Sequence, residues 1–165
     1  MKHTLLAVDL AKSVFQVAVA DGPSGAVTDH RLSRAGFLRF FAQWQPSTVL
    51  LEACGSSHHW GRELEKLGHR VVLLPPQYVK PYVHRDKTDR ADARALLEAF
   101  RDRRIHPVPI KTFAQQALTA LHRLRSAWLA DRTARINTLR GLLRELGRTI
   151  PVGARHVVPR VLELI

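Results

Sequence analysis

Residues 47–75 read STVLLEACGSSHHWGRELEKLGHRVVLLP. Segment 47–53 is a buried strand ending in an acid, and Ser56 or Ser57 can cap a helix running to Leu67. Gly68 stops that helix, and 69–75 is a second apolar strand closed by Pro75-Pro76. Strand, helix and strand in so short a span describe a crossover between parallel strands, which places ligands at the strands' carboxyl ends.

Upstream, 4–10 is a short apolar run with Asp9 near its end, and 14–20 alternates with β-branched residues. DGPSG at 21–25 is a turn cluster, and 26–32 reads as a third strand, completing a meander. Ser33 can cap a helix over 34–44, with Phe37, Leu38, Phe40, Phe41 and Trp44 as its apolar stripe and Pro46 as its end. A meander followed by alternating helices and strands predicts an α/β fold, a mixed sheet flanked by helices, over residues 1–110. Asp9 and Glu52 then stand at the carboxyl ends of neighbouring strands.

Downstream, 86–93 reads DKTDRADA and runs into RALLEAFRDRR, a helical pattern. Asp86, Asp89 and Asp92 are spaced by three, so they are helical neighbours whose like charges repel. Asp89 and Asp92 can present two carboxylates to one point, while Asp86 or Thr88 can act as a cap. Complementing the helix dipole, at about 0.3–1 kcal/mol per acid, explains this cluster by itself. It does not explain acids at the ends of two buried strands, where a carboxylate is costly unless paired or metal-bound. A divalent cation held by Asp9, Glu52, Asp89 and Asp92 accounts for all four, since hard cations take oxygen ligands.

From 112 to 147 there is no proline, and the one internal glycine is Gly141. This predicts a helix of about 54 Å. Leu129, Ile136 and Leu143 recur at seven with Leu139 and Leu146 between them, although Arg125 and Arg132 interrupt the heptad phase of Leu118. Such a seam predicts a coiled-coil segment over 111–165 that pairs with another copy, as a dimer or higher homo-oligomer. The chain stops at Ile165 with no closing element, as expected of a C-terminally truncated piece of a longer protein.

The formal net charge is +12. Residues 1–100 hold 13 Lys and Arg against 10 acids, whereas 101–165 hold 13 against 4. An excess so concentrated favours a polyanion through phosphate contacts and counterion release. The candidate nucleic-acid contacts are Lys12, Arg85, Lys87, Arg90, Arg123, Arg125, Arg132, Arg135, Arg140, Arg144 and Arg148, those of the long helix circling it rather than forming one stripe. No apolar run reaches the length of a membrane span, and Asp9 breaks the N-terminal apolar run, so that run reads as the first strand of a cytoplasmic protein. A single cysteine, Cys54, excludes an internal disulfide and a multi-cysteine zinc site. The histidines lack ligand spacing, Cys54 reads as a buried thiol, and Phe37, Trp44 and Trp60 read as core.

Asp9 in AVDLAKS, Glu52 in LLEACG and the pair in KTDRADAR resemble the DEDD motif of insertion-sequence transposases of the Piv/MooV type, the IS one-ten family. The resemblance covers essentially the whole chain. It implies a RuvC-like, ribonuclease-H-related domain whose catalytic and metal-binding residues are Asp9, Glu52, Asp89 and Asp92, with one or two Mg²⁺ or Mn²⁺ ions. It also implies a following coiled coil, cleavage and exchange of DNA strands, and pairing with a structured guide RNA. Family members carry a further domain with a nucleophilic serine, which no part of this sequence matches. The alternative is a non-catalytic nucleic-acid-binding protein whose acids cap helices and balance charge.

Overall fold

The computed structural model describes residues 4–21, 26–83 and 89–163. Five strands form one sheet: β1 (Thr4–Leu10), β2 (Val14–Asp21), β3 (Val27–Ser33), β4 (Thr48–Glu52) and β5 (Arg70–Leu74). Their order is β3-β2-β1-β4-β5. β2 runs antiparallel to both β1 and β3, while β4 runs parallel to β1 and to β5. The α/β mixed sheet expected from the meander and the crossover is the one observed.

Alternation along the strands sorts the core into two layers. Leu6, Val8, Phe15, Val17, Val49, Leu51 and Leu73 face one side, against Phe37 and Phe41 of α1 (Phe37–Phe41) and Trp60 and Leu64 of α2 (Ser57–Lys66). Phe15, Phe37 and Trp60 meet edge to face with centroids 4.8–5.2 Å apart, so the aromatics are core as expected. Ala7, Ala18, Leu50, Val72 and Leu74 face the other side. There they meet Val79 of α3 (Pro76–Val79) and the apolar stripe of α4 (Asp89–Arg101). Small residues on both surfaces, Ala7, Ala18 and Ala20 on the sheet and Ala93 and Ala99 on the helix, leave room for α4 to lie closely across β1 and β2.

Three local expectations need correcting. The helix expected over 34–44 is only five residues long, because Ser33 closes a turn instead of capping a helix. Its hydroxyl and carbonyl oxygens accept the Gly36 N–H at 3.2 and 3.1 Å. Neither Ser56 nor Ser57 caps α2 with its side chain: the Ser57 hydroxyl turns back, donating to the Cys54 carbonyl and accepting the Cys54 N–H. Pro76 does not simply end a strand. It occupies the first turn of α3, where a missing N–H is harmless, and a 3₁₀ turn at Lys80–Tyr82 continues the chain.

Gly68 and Gly147 close α2 and α5 (Phe113–Glu145) in the same way. Both have positive φ, 86° and 73°, and each is followed by a residue whose N–H reaches back to Leu64 or Leu143. Backbone contacts divide the chain into two units, Met1–Thr112 and Phe113–Ile165. In the second, α5 carries no buried residue, and α6 (Val157–Leu162) follows a 3₁₀ turn at Ala154–His156.

Candidate metal centre

β1 and β4 lie side by side, and Val8 pairs with Leu51. Asp9 and Glu52 are the next residue on each strand, so they sit one strand apart at the carboxyl ends, about 5 Å between backbones. Each follows its Ala7 or Leu50 by two positions and so shares the sheet face covered by α4. Both are half-buried. The strand end at Glu52 is held firmly. Ala53 donates its N–H to the Leu74 carbonyl at 2.8 Å, and the Ser57 hydroxyl grips both backbone groups of Cys54. Cys54 itself is half-buried, less enclosed than expected.

α4 supplies the third acid. Asp92 is half-buried and close enough to act electrostatically on Glu52. The Glu52 carboxyl is pushed above its ordinary value, first by burial, then by the Asp92 charge, with Lys80 opposing both. Asp89 begins α4, three residues before Asp92. Its side chain, with that of Arg90 and the whole of Arg85 and Lys87, lies outside the described residues. Among the described residues no three acidic, histidine or cysteine side chains are drawn together at ion-binding distance.

Two clamps fix α4. Arg94 forks onto Asp29 of β3, at 2.6 Å from Nη2 and 3.3 Å from Nε. Beyond the other end, the Tyr82 hydroxyl donates to Asp102 at 3.1 Å, and Arg104 donates to the same carboxylate at 2.7 Å. The Arg104 guanidinium holds the Asp102 carboxyl well below the usual range.

The donor set fits a hard divalent cation. Its described members, Asp9, Glu52 and Asp92, are carboxylates on two adjacent strand ends and a facing helix, and after burial the Asp92 charge is what raises the Glu52 carboxyl. Two of the histidines serve structure instead. His69 is buried, accepting the Ser47 N–H at Nδ1 and meeting the Phe41 carbonyl with Nε2 at 3.1 Å. His58 accepts the Lys111 N–H, which pins the chain after α4 to α2.

The candidate nucleic-acid contacts divide. Lys12 is exposed in the β1–β2 turn. Arg123, Arg125, Arg132, Arg144 and Arg148 are exposed, and Arg135 pairs with Asp131 at 3.0 Å. Arg140 is half-buried and differs from the others in its contacts. Its Nη2 donates to the carbonyls of Pro151 and Gly153, so it folds the following segment onto the helix. Lys80, which no spacing in the sequence singles out, is the cation acting on Glu52.

A family model described as transposase, the DEDD transposase of IS110 elements, matches residues 6–147. The chain belongs to this family. A "Probable family 20 transposase" of Pseudomonas aeruginosa is 44% identical over all 165 residues, which are 49% of its length. The transposase for insertion sequence element IS1111A of Coxiella burnetii is 40% identical over 152 residues, 92% of this chain and 42% of that protein. The chain thus spans about half the length of the curated relatives it matches. The solved structure titled T. thermophilus RuvC in complex with Holliday junction substrate superposes with a TM-score of 0.46 at 11% identity, over 64% of this chain and 99% of that one. No helix among the described residues is long and apolar enough to cross a membrane.

Proposed function

We propose that the chain is the metal-binding catalytic part of a DNA transposase, in which Asp9, Glu52, Asp89 and Asp92 hold one or two Mg²⁺ or Mn²⁺ ions. The observation that carries this reading is the placement of Asp9 and Glu52 on adjacent strand ends, under a helix whose Asp92 is electrostatically coupled to Glu52. Bound there, a divalent ion supplies charge stabilisation at a phosphodiester and a more acidic attacking group. The chain's own contribution is positional. The sheet fixes two carboxylates one strand apart, Ser57 locks the loop that follows Glu52, and the Arg94 and Asp102 clamps hold α4 in place over them.

The partners we assign are DNA, a structured guide RNA and further copies of the chain. DNA is supported by the family and by the charge excess after residue 100. The guide RNA rests on the family resemblance alone. A coiled-coil pairing through α5 is supported by the exposure of Leu118, Leu121, Leu124, Trp128, Leu139 and Leu142 along it. Strand exchange is assigned to the whole transposase, with a serine-bearing domain completing it.

Calorimetric titration with Mn²⁺ tests the metal reading. Binding should be lost in Glu52→Gln and in the Asp89→Asn, Asp92→Asn pair. Binding unaltered in both would leave a nucleic-acid-binding protein whose acids cap helices.

A further inference from the structure

We propose that Arg125, Trp128 and Arg132 form a platform on α5 for an unpaired stretch of DNA, a base stacking on the indole and phosphates meeting the two guanidinium groups. The inference rests on the reading of DNA as a partner and adds the place where a single strand is held. The tryptophans differ sharply in environment. Trp60 is 5% exposed and Trp44 packs against the same core layer, whereas Trp128 is 69% exposed. Arg125 and Arg132 stand three residues before it and four after it on one unbroken helix, so each lies one turn away on the same side as the indole. Both are exposed. Unlike Arg135 and Arg140, neither has a hydrogen-bond or ion-pair partner among the described residues.

Charge decides what covers this side of the helix. α5 holds six arginines and two acids, Asp131 and Glu145. Asp131 pairs with Arg135 of its own helix at 3.0 Å. At about 3.6 residues per turn, Glu145 falls on the far side from Arg125 and Arg132. A second copy laid over the two arginines would bury guanidinium groups with no facing carboxylate, which is costly. The heptad of Ile136, Leu139, Leu143 and Leu146 runs uninterrupted further along, so pairing is strongest there. Trp128 occupies neither the phase of Leu129 nor that of Leu118, and a paired helix leaves its ring at the rim. A nucleic-acid strand brings what a second copy lacks, phosphates for both cations and a flat ring for the indole. Duplex DNA offers the phosphates but keeps its bases stacked on one another, so the platform selects the unpaired strand.

The test compares binding of the 165-residue chain to a thymidine oligonucleotide, to duplex DNA and to a uridine oligoribonucleotide, with EDTA present so that metal plays no part. Trp128→Leu, which keeps an apolar side chain, should weaken binding of the thymidine oligonucleotide by about 5- to 150-fold and leave duplex binding unchanged. Trp128→Phe should recover most of the affinity. Saturation with the thymidine oligonucleotide should quench indole fluorescence in the unaltered chain and not in Trp128→Phe, whose remaining tryptophans belong to the core. The Arg125→Gln, Arg132→Gln pair should lower the magnitude of the log–log salt slope by about 1.4, at about 0.7 per phosphate on a single strand. A Trp128→Leu chain that binds the thymidine oligonucleotide as tightly as the unaltered one, or is weakened equally on duplex, overturns the proposal. Trp128-dependent binding of the uridine oligomer alone overturns its assignment to DNA. Absence of binding to all three overturns the reading of DNA as a partner along with it.

Discussion

At the scale of single residues, Glu52 carries the tension of the site. Burial and Asp92 raise its pKa, so the folded chain holds the proton more tightly than the unfolded one. A raised carboxyl contributes stability below its unfolded pKa and loses that contribution as pH rises through the folded value. Near neutral pH the raised Glu52 carboxyl is therefore destabilising in the metal-free chain. Glu52→Gln should raise the thermal midpoint in EDTA at pH 7, and the gain should disappear as pH falls below the ordinary glutamate range. A lower midpoint for the variant at pH 7 would mean that Glu52 has a structural partner and not a functional one. Asp9 and Glu52 were legible as a pair because each ends an apolar run, where an acid has no packing role. Lys80 was not legible, since its relation to Glu52 depends on β5 lying beside β4. The carbonyl partners of Arg140 were not legible either, since they lie in a segment whose fold no periodicity announces.

At the scale of elements, the strands were legible from alternation and the two long helices from their stripes. The short ones were not. α1 shrinks because Ser33 and Gly36 make a turn first, and α3 forms because Pro76 begins a helix as readily as it ends a strand. Gly68 did what its place predicted, with a φ of 86° and the Leu64 carbonyl taken by the next N–H. Its nearest neighbour to an added Cβ is Pro46 at 3.8 Å, so a substitution meets backbone strain and not a clash. Gly68→Ala should destabilise by about 1–2 kcal/mol, read from the urea midpoint at constant m-value. An unchanged midpoint would mean that the turn relaxes without loss.

At the scale of the whole molecule, the pairing we propose rests on α5. None of its residues is buried, yet Leu118, Leu121, Leu124 and Trp128 join the seam of Leu129, Ile136, Leu139, Leu143 and Leu146. At 3.6 residues per turn these fall on one broad side of the helix, with Arg125 and Arg132 set into it. Covering such a side chain contributes about 1.5 kcal/mol or more, enough collectively to drive pairing, while the two arginines weaken it. Light scattering over a dilution series should give at least twice the chain mass at tens of micromolar. A monomer mass there, with or without nucleic acid, would show that α5 does not pair.

The central claim is that the acids of β1, β4 and α4 form one divalent-metal centre. Anomalous diffraction from crystals grown with Mn²⁺ tests it most directly. The account predicts a peak within about 2.5 Å of carboxylate oxygens of Asp9, Glu52 and at least one of Asp89 and Asp92. Peaks only elsewhere on the surface, with the four acids unliganded at saturating Mn²⁺, would contradict it.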